Sequence, residues 1–359
     1  MSYIPPRRSD GTLQIRRTKQ PWPEGRPFRI LSIDGGGICG ILPAAALAEF
    51  ETRFLKGRSV ADYFDMVAGT STGGIIALGL AHGLTAHQVL NFYMEHGDRV
   101  FPNSTHLSRW WRWLRRLHRV GYDSGPLEQE LLGIFGDTSL GEARTRLCIP
   151  SFEGVHGEPW VFKTPHHPDY RKDRVERMVT VALATSAAPT YLGALQNNGY
   201  IMIDGGLWAN NPIMNAVTDV LACYDLERPQ IRVLSLGCGE TSFKVHPSRA
   251  RGGKYQWKDV ILAAMRAQSH NALGQSYLLL GKENVVRLDA PETPYPIAMN
   301  DHRRAKAELP AMARSLVEGA GHHVKSMFLD KPTTAYEPCP LVRAVNGEFI
   351  DAEHVGVIV

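Results

Sequence analysis

Apolar residues fall along this chain in short continuous runs, separated by glycine-rich turns and by longer stretches with helical spacing. Phe28–Ile33 (FRILSI) has the near-continuous apolar pattern of a strand buried on both faces. Residues 40–54 follow with apolar side chains three and four apart, which predicts a helix. The order then repeats, with a strand over 63–68, a small-residue helix over 72–81 and another helix over 85–95. Residues 147–152, 160–164, 200–203 and Ile231–Leu236 read as strands, and 178–185 as a helix stopped near Pro189. Two further helices are predicted over 257–280 and 303–318. Strands alternating with helices predict an α/β fold with a mainly parallel sheet covered on both faces.

The expected organisation is a basic, Pro-containing arm (1–25), an α/β domain (26–330) and an irregular tail (331–359). Within the domain the motif-bearing core spans 28–240 and a helical extension spans 241–330. A chain of 359 residues, 43% hydrophobic and 21% charged, can bury a large core and has the composition of a globular protein. No apolar run approaches the roughly 18 residues needed to span a bilayer. Residues 1–29 hold no apolar segment of the kind a secretory leader has. The five cysteines are scattered without a CxxC pair, which predicts free thiols in a reducing, cytoplasmic setting and no structural zinc.

The net charge of +4 is local. Residues 1–29 carry seven basic side chains and 107–120 carry five arginines; the remainder holds 28 basic against 34 acidic residues. Local basic patches meet anionic partners such as lipid head groups or nucleotides. A nucleic-acid partner is not expected, since the chain lacks a recognition motif and a strongly basic balance.

Candidate chemistry sits in three glycine turns, each after a predicted strand: Asp34-Gly35-Gly36-Gly37-Ile38-Cys39-Gly40, Gly69-Thr70-Ser71-Thr72-Gly73 and Asp204-Gly205-Gly206. Gly69, Ser71 and Gly73 fit the GxSxG elbow, where a strained turn exposes a serine hydroxyl between a strand and a helix. Gly35, Gly37 and Gly40 also fit the dinucleotide fingerprint GxGxxG, but the acidic ribose contact expected about 20 residues on is missing. The strand after it ends in Ser71 instead, which favours an oxyanion hole built from amides at a helix N-terminus. Asp204 could take the serine proton directly if sufficiently desolvated. Taken alone, its turn is better read as a plain turn; His246, His270, His302, His322, His323 and His354 are alternative bases, but none sits in a convincing strand-end turn.

These three segments in this order resemble the patatin-like phospholipase family, over roughly residues 28–240. The stretches Ala184-Thr185-Ser186-Ala187-Ala188-Pro189-Thr190-Tyr191 and Asn210-Asn211-Pro212 look like further family landmarks. The resemblance implies a three-layer α/β/α fold with a Ser–Asp dyad. Ser71 would be the nucleophile, Asp204 the base, and Gly35, Gly36 and Gly37 the oxyanion donors, with Gly69, Gly73, Gly205 and Gly206 shaping the turns. It implies hydrolysis of phospholipid acyl esters through an acyl-enzyme, with no metal. Cys39 departs from the basic residue common in the family, which puts the potential near the oxyanion in doubt. The likeness extends to the bacterial branch that is switched on by cyclic dinucleotides in anti-phage defence and acts on the inner face of the membrane. Lys244, Arg249, Arg251, Lys254 and Arg266 are candidate phosphate contacts. A constitutive lipase, or a catalytically weak lipid- or nucleotide-binding protein, are the alternatives. The oligomeric state stays open, a homodimer included.

Residues 107–120 (LSRWWRWLRRLHRV) would place Trp110, Trp113, Leu114 and Leu117 on one helical face, with Arg109, Arg112, Arg116 and Arg119 mostly opposite. That pattern suits either an interfacial helix among anionic head groups or an ordinary surface helix. Replacing Trp110 and Trp113 together by Ala is expected to weaken binding to anionic vesicles while sparing hydrolysis of a soluble ester. Equal loss of both would assign the face to internal packing.

Overall fold

Alternate residues of a strand face opposite sides of a sheet, and here both sides are covered. The computed structural model describes residues 3–7, 17–100, 123–189, 191–239, 260–293, 295–343 and 349–351. Its central sheet has eight strands. They are β1 (Phe28–Ile33), β2 (Met66–Gly69), β3 (Arg146–Glu153), β4 (Glu158–Lys163), β5 (Leu195–Asn197), β6 (Tyr200–Asp204), β7 (Ile231–Leu236) and β8 (Val285–Leu288). Their order is β8-β7-β1-β2-β3-β6-β5, with β4 beside β3. The strands from β8 to β3 are parallel, while β4, β5 and β6 pair antiparallel.

The longer helices are α1 (Ile41–Phe54), α2 (Thr72–His82), α3 (Ala86–Val100), α4 (Gly125–Phe135), α5 (Met178–Ser186), α6 (Ile213–Cys223), α7 (Val260–Leu280) and α8 (His302–Phe328). Leu31, Ile33, Val67, Leu147, Ile149 and Leu234 pack into one core with residues of α1 to α5 and α8. Their strand neighbours Ile30, Met66, Ala68, Cys148 and Val233 pack into a second core with α6 and α7. The result is the three-layer α/β/α arrangement, divided by the pleat of the sheet.

One topological feature positions everything that follows. β3 pairs with β2 over Arg146–Cys148 and with the antiparallel β6 over Ser151–Glu153. Because β4 occupies the other edge of β3 from Cys148 to Glu153, β2 and β6 share one edge. They meet end to end there, β2 running out at Gly69 and β6 arriving from the opposite direction at Asp204.

Several elements differ from the sequence expectation, each because tertiary packing decides the matter. Residues 60–63 form a 3-10 turn capped by Ser59, and the second strand starts only at Met66, after the buried carboxylate of Asp65. The predicted helix 303–318 continues to Phe328, past Gly319 and Gly321. Gly321 lies so close to the Phe54 ring that a Cβ there would fall 2.9 Å from it, so this glycine closes a helix contact rather than ending a helix. The helices α4 and α6 and strand β8 escaped the periodicity reading.

The packed region also starts before residue 26. Gln20 and Pro21 pair in parallel with Tyr224 and Asp225. The Trp22 ring lies 4.6 Å from Phe28 and 5.4 Å from Tyr224 between centroids, with the Arg26 guanidinium 4.6 Å above it. At the other end, the Thr333 and Cys339 amides donate to the Asp62 and Pro165 carbonyls, both at 2.8 Å. The tail is packed but irregular as far as Cys339, and, contrary to the expectation of an irregular tail throughout, Leu341–Arg343 then pairs antiparallel with Phe349–Asp351. Trp22→Ala should lower unfolding stability by about 1–3 kcal/mol, read from a denaturant midpoint. An unmoved midpoint would return residues 17–25 to the status of a loose arm.

Candidate active site

The end of β2 turns sharply into α2, and Ser71 sits at the apex with φ +55° and ψ −122°. A serine with such dihedrals stores on the order of 1–3 kcal/mol, so its surroundings must hold it there. The Thr70 amide donates to the Ile33 carbonyl at 3.2 Å, Gly73 N–H to the Thr70 carbonyl at 2.8 Å, and Ser71 N–H to Thr185 Oγ1 at 3.0 Å. A Cβ on Gly73 would lie 2.3 Å from the Ile33 carbonyl oxygen, and one on Gly69 would lie 2.0 Å from that of Gly73. Glycine on both sides is therefore the steric condition for the serine turn.

Asp204 closes β6 and reaches the serine directly. Ser71 Oγ donates to Asp204 Oδ2 at 2.7 Å, and Gly206 N–H donates to Oδ1 at 2.6 Å. The serine is 7% exposed and the aspartate 5%, and no cation contacts the carboxylate among the described residues. Burial pushes the Asp204 carboxyl up to about 6; the hydrogen bonds from Ser71 and Gly206 oppose that rise without cancelling it. No described histidine bonds to either residue; His246 and His354 lie outside the described residues.

The glycine turn after β1 is anchored at its acidic end. The Asp34 amide donates to the Leu236 carbonyl at 3.0 Å, and its carboxylate meets Arg287 at 2.7 Å. Arg287 also meets Asp289 at 2.6 Å and donates to Ser235 Oγ at 2.8 Å. Burial alone would lower the guanidinium, but Asp34 and Asp289 outweigh it and hold the group charged. The sequence expectation of three oxyanion donors needs correction here. Gly35 N–H is already given to the Asn210 carbonyl at 3.0 Å. The amides of Gly36 and Gly37 bond to no other described residue, and Gly37, with φ +58°, lines the same cavity as Ser71. Cys39 supplies no positive charge: burial pushes its thiol up to about 12.

That cavity is narrow, about 40 Å³, and its walls are apolar, with Ile75, Phe92, Leu127, Leu192 and Met299 around Ser71. It lies between α3 and α4 on the side of the first core.

Two positions that sequence reasoning flagged only as landmarks have specific partners in the fold. Thr185 Oγ1 accepts the Ser71 amide and donates to the Pro150 carbonyl at 2.6 Å, so one hydroxyl ties the serine turn to β3. The 209–211 segment receives Thr70 Oγ1 on the Ala209 carbonyl at 2.6 Å and Gly35 N–H on that of Asn210. Gly205 N–H donates to the Thr185 carbonyl at 3.3 Å. Neither role could be read from spacing, because the turns they hold are remote: Thr185 lies 114 residues from Ser71 and Ala209 139 from Thr70.

Trp110, Trp113 and Leu117 lie outside the described residues, as do Lys244, Arg249, Arg251 and Lys254. Arg266, on α7, pairs with Glu292 at 3.4 Å. His166, Asp219 and Cys223 come within 4.8 Å of one another and could in principle hold a metal. The set fits one poorly. Lys163 Nζ already sits 2.5 Å from Asp219, His166 Nε2 takes the other oxygen at 2.7 Å, and burial pushes the Cys223 thiol up to about 12.

A family profile described as patatin-like phospholipase matches residues 31–217. The chain is 34% identical over 242 residues to a Vibrio cholerae protein named cGAMP-activated phospholipase, covering 62% of this chain and 68% of that one. A Pseudomonas aeruginosa protein of the same name is 30% identical over 315 residues, covering 85% and 90%. Patatin-like protein 2 of Arabidopsis thaliana is 37% identical over 225 residues, covering 56% and 54%.

An Asp204 carboxyl titrating near 6 is largely protonated at pH 5, where an ordinary carboxyl is ionised, and a protonated acid cannot accept the serine proton. The rate constant for a short-chain ester should therefore fall about tenfold per pH unit below about 6 and level off above it. A profile flat down to pH 4.5 would exclude Asp204 as the base.

Proposed function

The chain belongs to the patatin-like phospholipase family, and we propose that it is a serine acyl hydrolase of membrane phospholipids controlled by a cyclic dinucleotide. The contact that carries the catalytic part is the 2.7 Å hydrogen bond from Ser71 to a buried, cation-free Asp204, at one end of an apolar cavity. Ser71 Oγ attacks the ester carbonyl as Asp204 takes its proton. The amides of Gly36 and Gly37 stabilise the oxyanion, and the positive end of α2 begins at the next residue. Collapse expels the lysolipid, which receives the proton, and leaves an acyl-serine. Water, deprotonated by the same carboxylate, then releases the fatty acid. Every step uses groups of this chain.

Nucleotide control is supported by the relatives named cGAMP-activated phospholipase at 30–34% identity. No described helix is long and apolar enough to cross a membrane. The substrate is taken as the membrane surface at its cytoplasmic face, with Trp110, Trp113 and Leu117 as candidate contacts.

Fatty-acid release from phospholipid vesicles, with and without cyclic GMP-AMP, tests the reading. Release is expected with the nucleotide, and Ser71→Ala should reduce it by about 10³-fold or more while the protein stays folded. Equal release without nucleotide would leave a constitutive lipase. No release from folded wild-type protein under either condition would favour a binding protein.

A further inference from the structure

A second cavity, of about 430 Å³, opens on the opposite side of the sheet, between α6 and α7. Its walls mix polar groups with apolar ones such as Val161, Met214 and Ala272, whereas those of the acyl cavity are almost wholly apolar. Asn215 from α6 and Asn271 and Gln275 from α7 line it, and none of their three carboxamides hydrogen-bonds to another described residue. Trp208 supplies an aromatic wall, its indole N–H pinned to the Ser151 carbonyl at 2.9 Å. Arg17 and Lys163 border the same space. Each has a carboxylate partner, Asp169 at 3.6 Å and the cavity-lining Asp219 at 2.5 Å, and each also donates to the Tyr170 hydroxyl, which leaves further N–H donors on a guanidinium with five and an ammonium with three.

We propose that this α6–α7 cavity is the cyclic-dinucleotide site, and that it acts on the oxyanion turn through α7; the proposal rests on the nucleotide-controlled reading above. Free carboxamides carry both donors and acceptors, which suits the edges of purine bases. An indole offers a stacking surface for a base. Two cations that meet at the Tyr170 hydroxyl suit two bridging phosphates. The volume falls within the roughly 300–1,000 Å³ of small-molecule sites.

The coupling path is short and made of hydrogen bonds. Gln268, which also lines the cavity, accepts the Asn211 amide at 3.1 Å and donates to the Asn211 carbonyl at 3.2 Å. Its neighbour Ser269 accepts from Asn210 Nδ2 at 3.2 Å. The Asn210 carbonyl in turn holds Gly35 N–H, and the Ala209 carbonyl holds Thr70 beside the nucleophile. Asn210 Oδ1 is buried without a partner, and a Cβ on Gly35 would lie 2.7 Å from it. A buried acceptor left unpaired costs free energy that a second arrangement can recover. A ligand that draws α7 toward α6 therefore shifts the 209–211 turn, and with it the direction of the glycine amides beside Ser71.

Calorimetric titration of the full-length protein with cyclic GMP-AMP, alongside vesicle hydrolysis, tests this. Asn271→Trp, which fills the cavity from an exposed helical position, should weaken binding at least tenfold; Gln275→Trp serves if that variant does not melt cooperatively. Ser269→Ala, outside the cavity, should bind as wild type does but lose most of the activation. Wild-type binding by both tryptophan variants, with activation intact, would place the nucleotide elsewhere and sink the site while sparing nucleotide control. Full activation of Ser269→Ala would break the coupling route. Wild-type protein that neither binds nor responds to cyclic GMP-AMP would remove nucleotide control itself.

Discussion

A carboxylate buried without a cation is the interaction around which the rest of this molecule is arranged. Burying a charged group is costly unless it is paired, and Asp34 and Asp219 follow that rule. Asp34 has Arg287; Asp219 has Lys163 and His166, which hold it below the ordinary carboxylate range against the effect of burial. Asp204 has only the Ser71 hydroxyl and the Gly206 amide. The rise from 3.8 to about 6 corresponds to about 3 kcal/mol against its charged form. Charge is thus neutralised at Asp34 and Asp219, and left to its own cost at the carboxylate that faces the serine. A carboxylate kept basic in this way needs no imidazole to relay the proton.

The sheet topology is what makes that arrangement possible. In an all-parallel sheet, strands that share an edge cannot meet head to head. Here β6 runs against β3, along the edge that β2 vacates, and its last residue faces the turn at which β2 ends. Thr185 fixes the distance between the two ends through Pro150 and the Ser71 amide. The 209–211 segment performs the same service for the glycine turn, since one stretch of backbone receives both Thr70 and Gly35. A disturbance of that segment reaches the serine turn and the glycine turn together, whereas the Ser71–Asp204 contact is carried by the sheet.

Much of this was legible from the chain because strands buried on both faces leave a strong signal. The bounds of β1 and β7 are those the apolar runs predict, and the turns containing Ser71 and Asp204 fall at strand ends, where the structure brings the two side chains together. What could not be read depends on contacts remote in sequence. The Gly35 amide looks as free as those of Gly36 and Gly37 until Asn210 is placed beside it, 175 residues away. Trp22 sits in a proline-rich stretch with no periodicity, and only the positions of Phe28 and Tyr224 make it a packed residue. The helix expected to end at residue 318 runs on to Phe328, because local propensity knows nothing of the Phe54 ring against which Gly321 packs.

The size of the acyl cavity sets a last constraint. About 40 Å³ holds a few atoms, far short of a fatty acyl chain, so the walls must part before a phospholipid can be cleaved. The wall formed by α2 is continuous with the serine turn, whose strain and hydrogen bonds fix it to the sheet. The wall formed by α3 and α4 is joined across its outer edge by Glu130, which meets Arg99 at 2.7 Å and His96 at 3.0 Å. Ion pairs at such exposure contribute about 1 kcal/mol or less, and the apolar surface that Phe92 and Leu127 uncover is buried again by the entering chain. A chain built this way admits its substrate by exchanging one apolar surface for another, while the serine and its carboxylate stay where the sheet has put them.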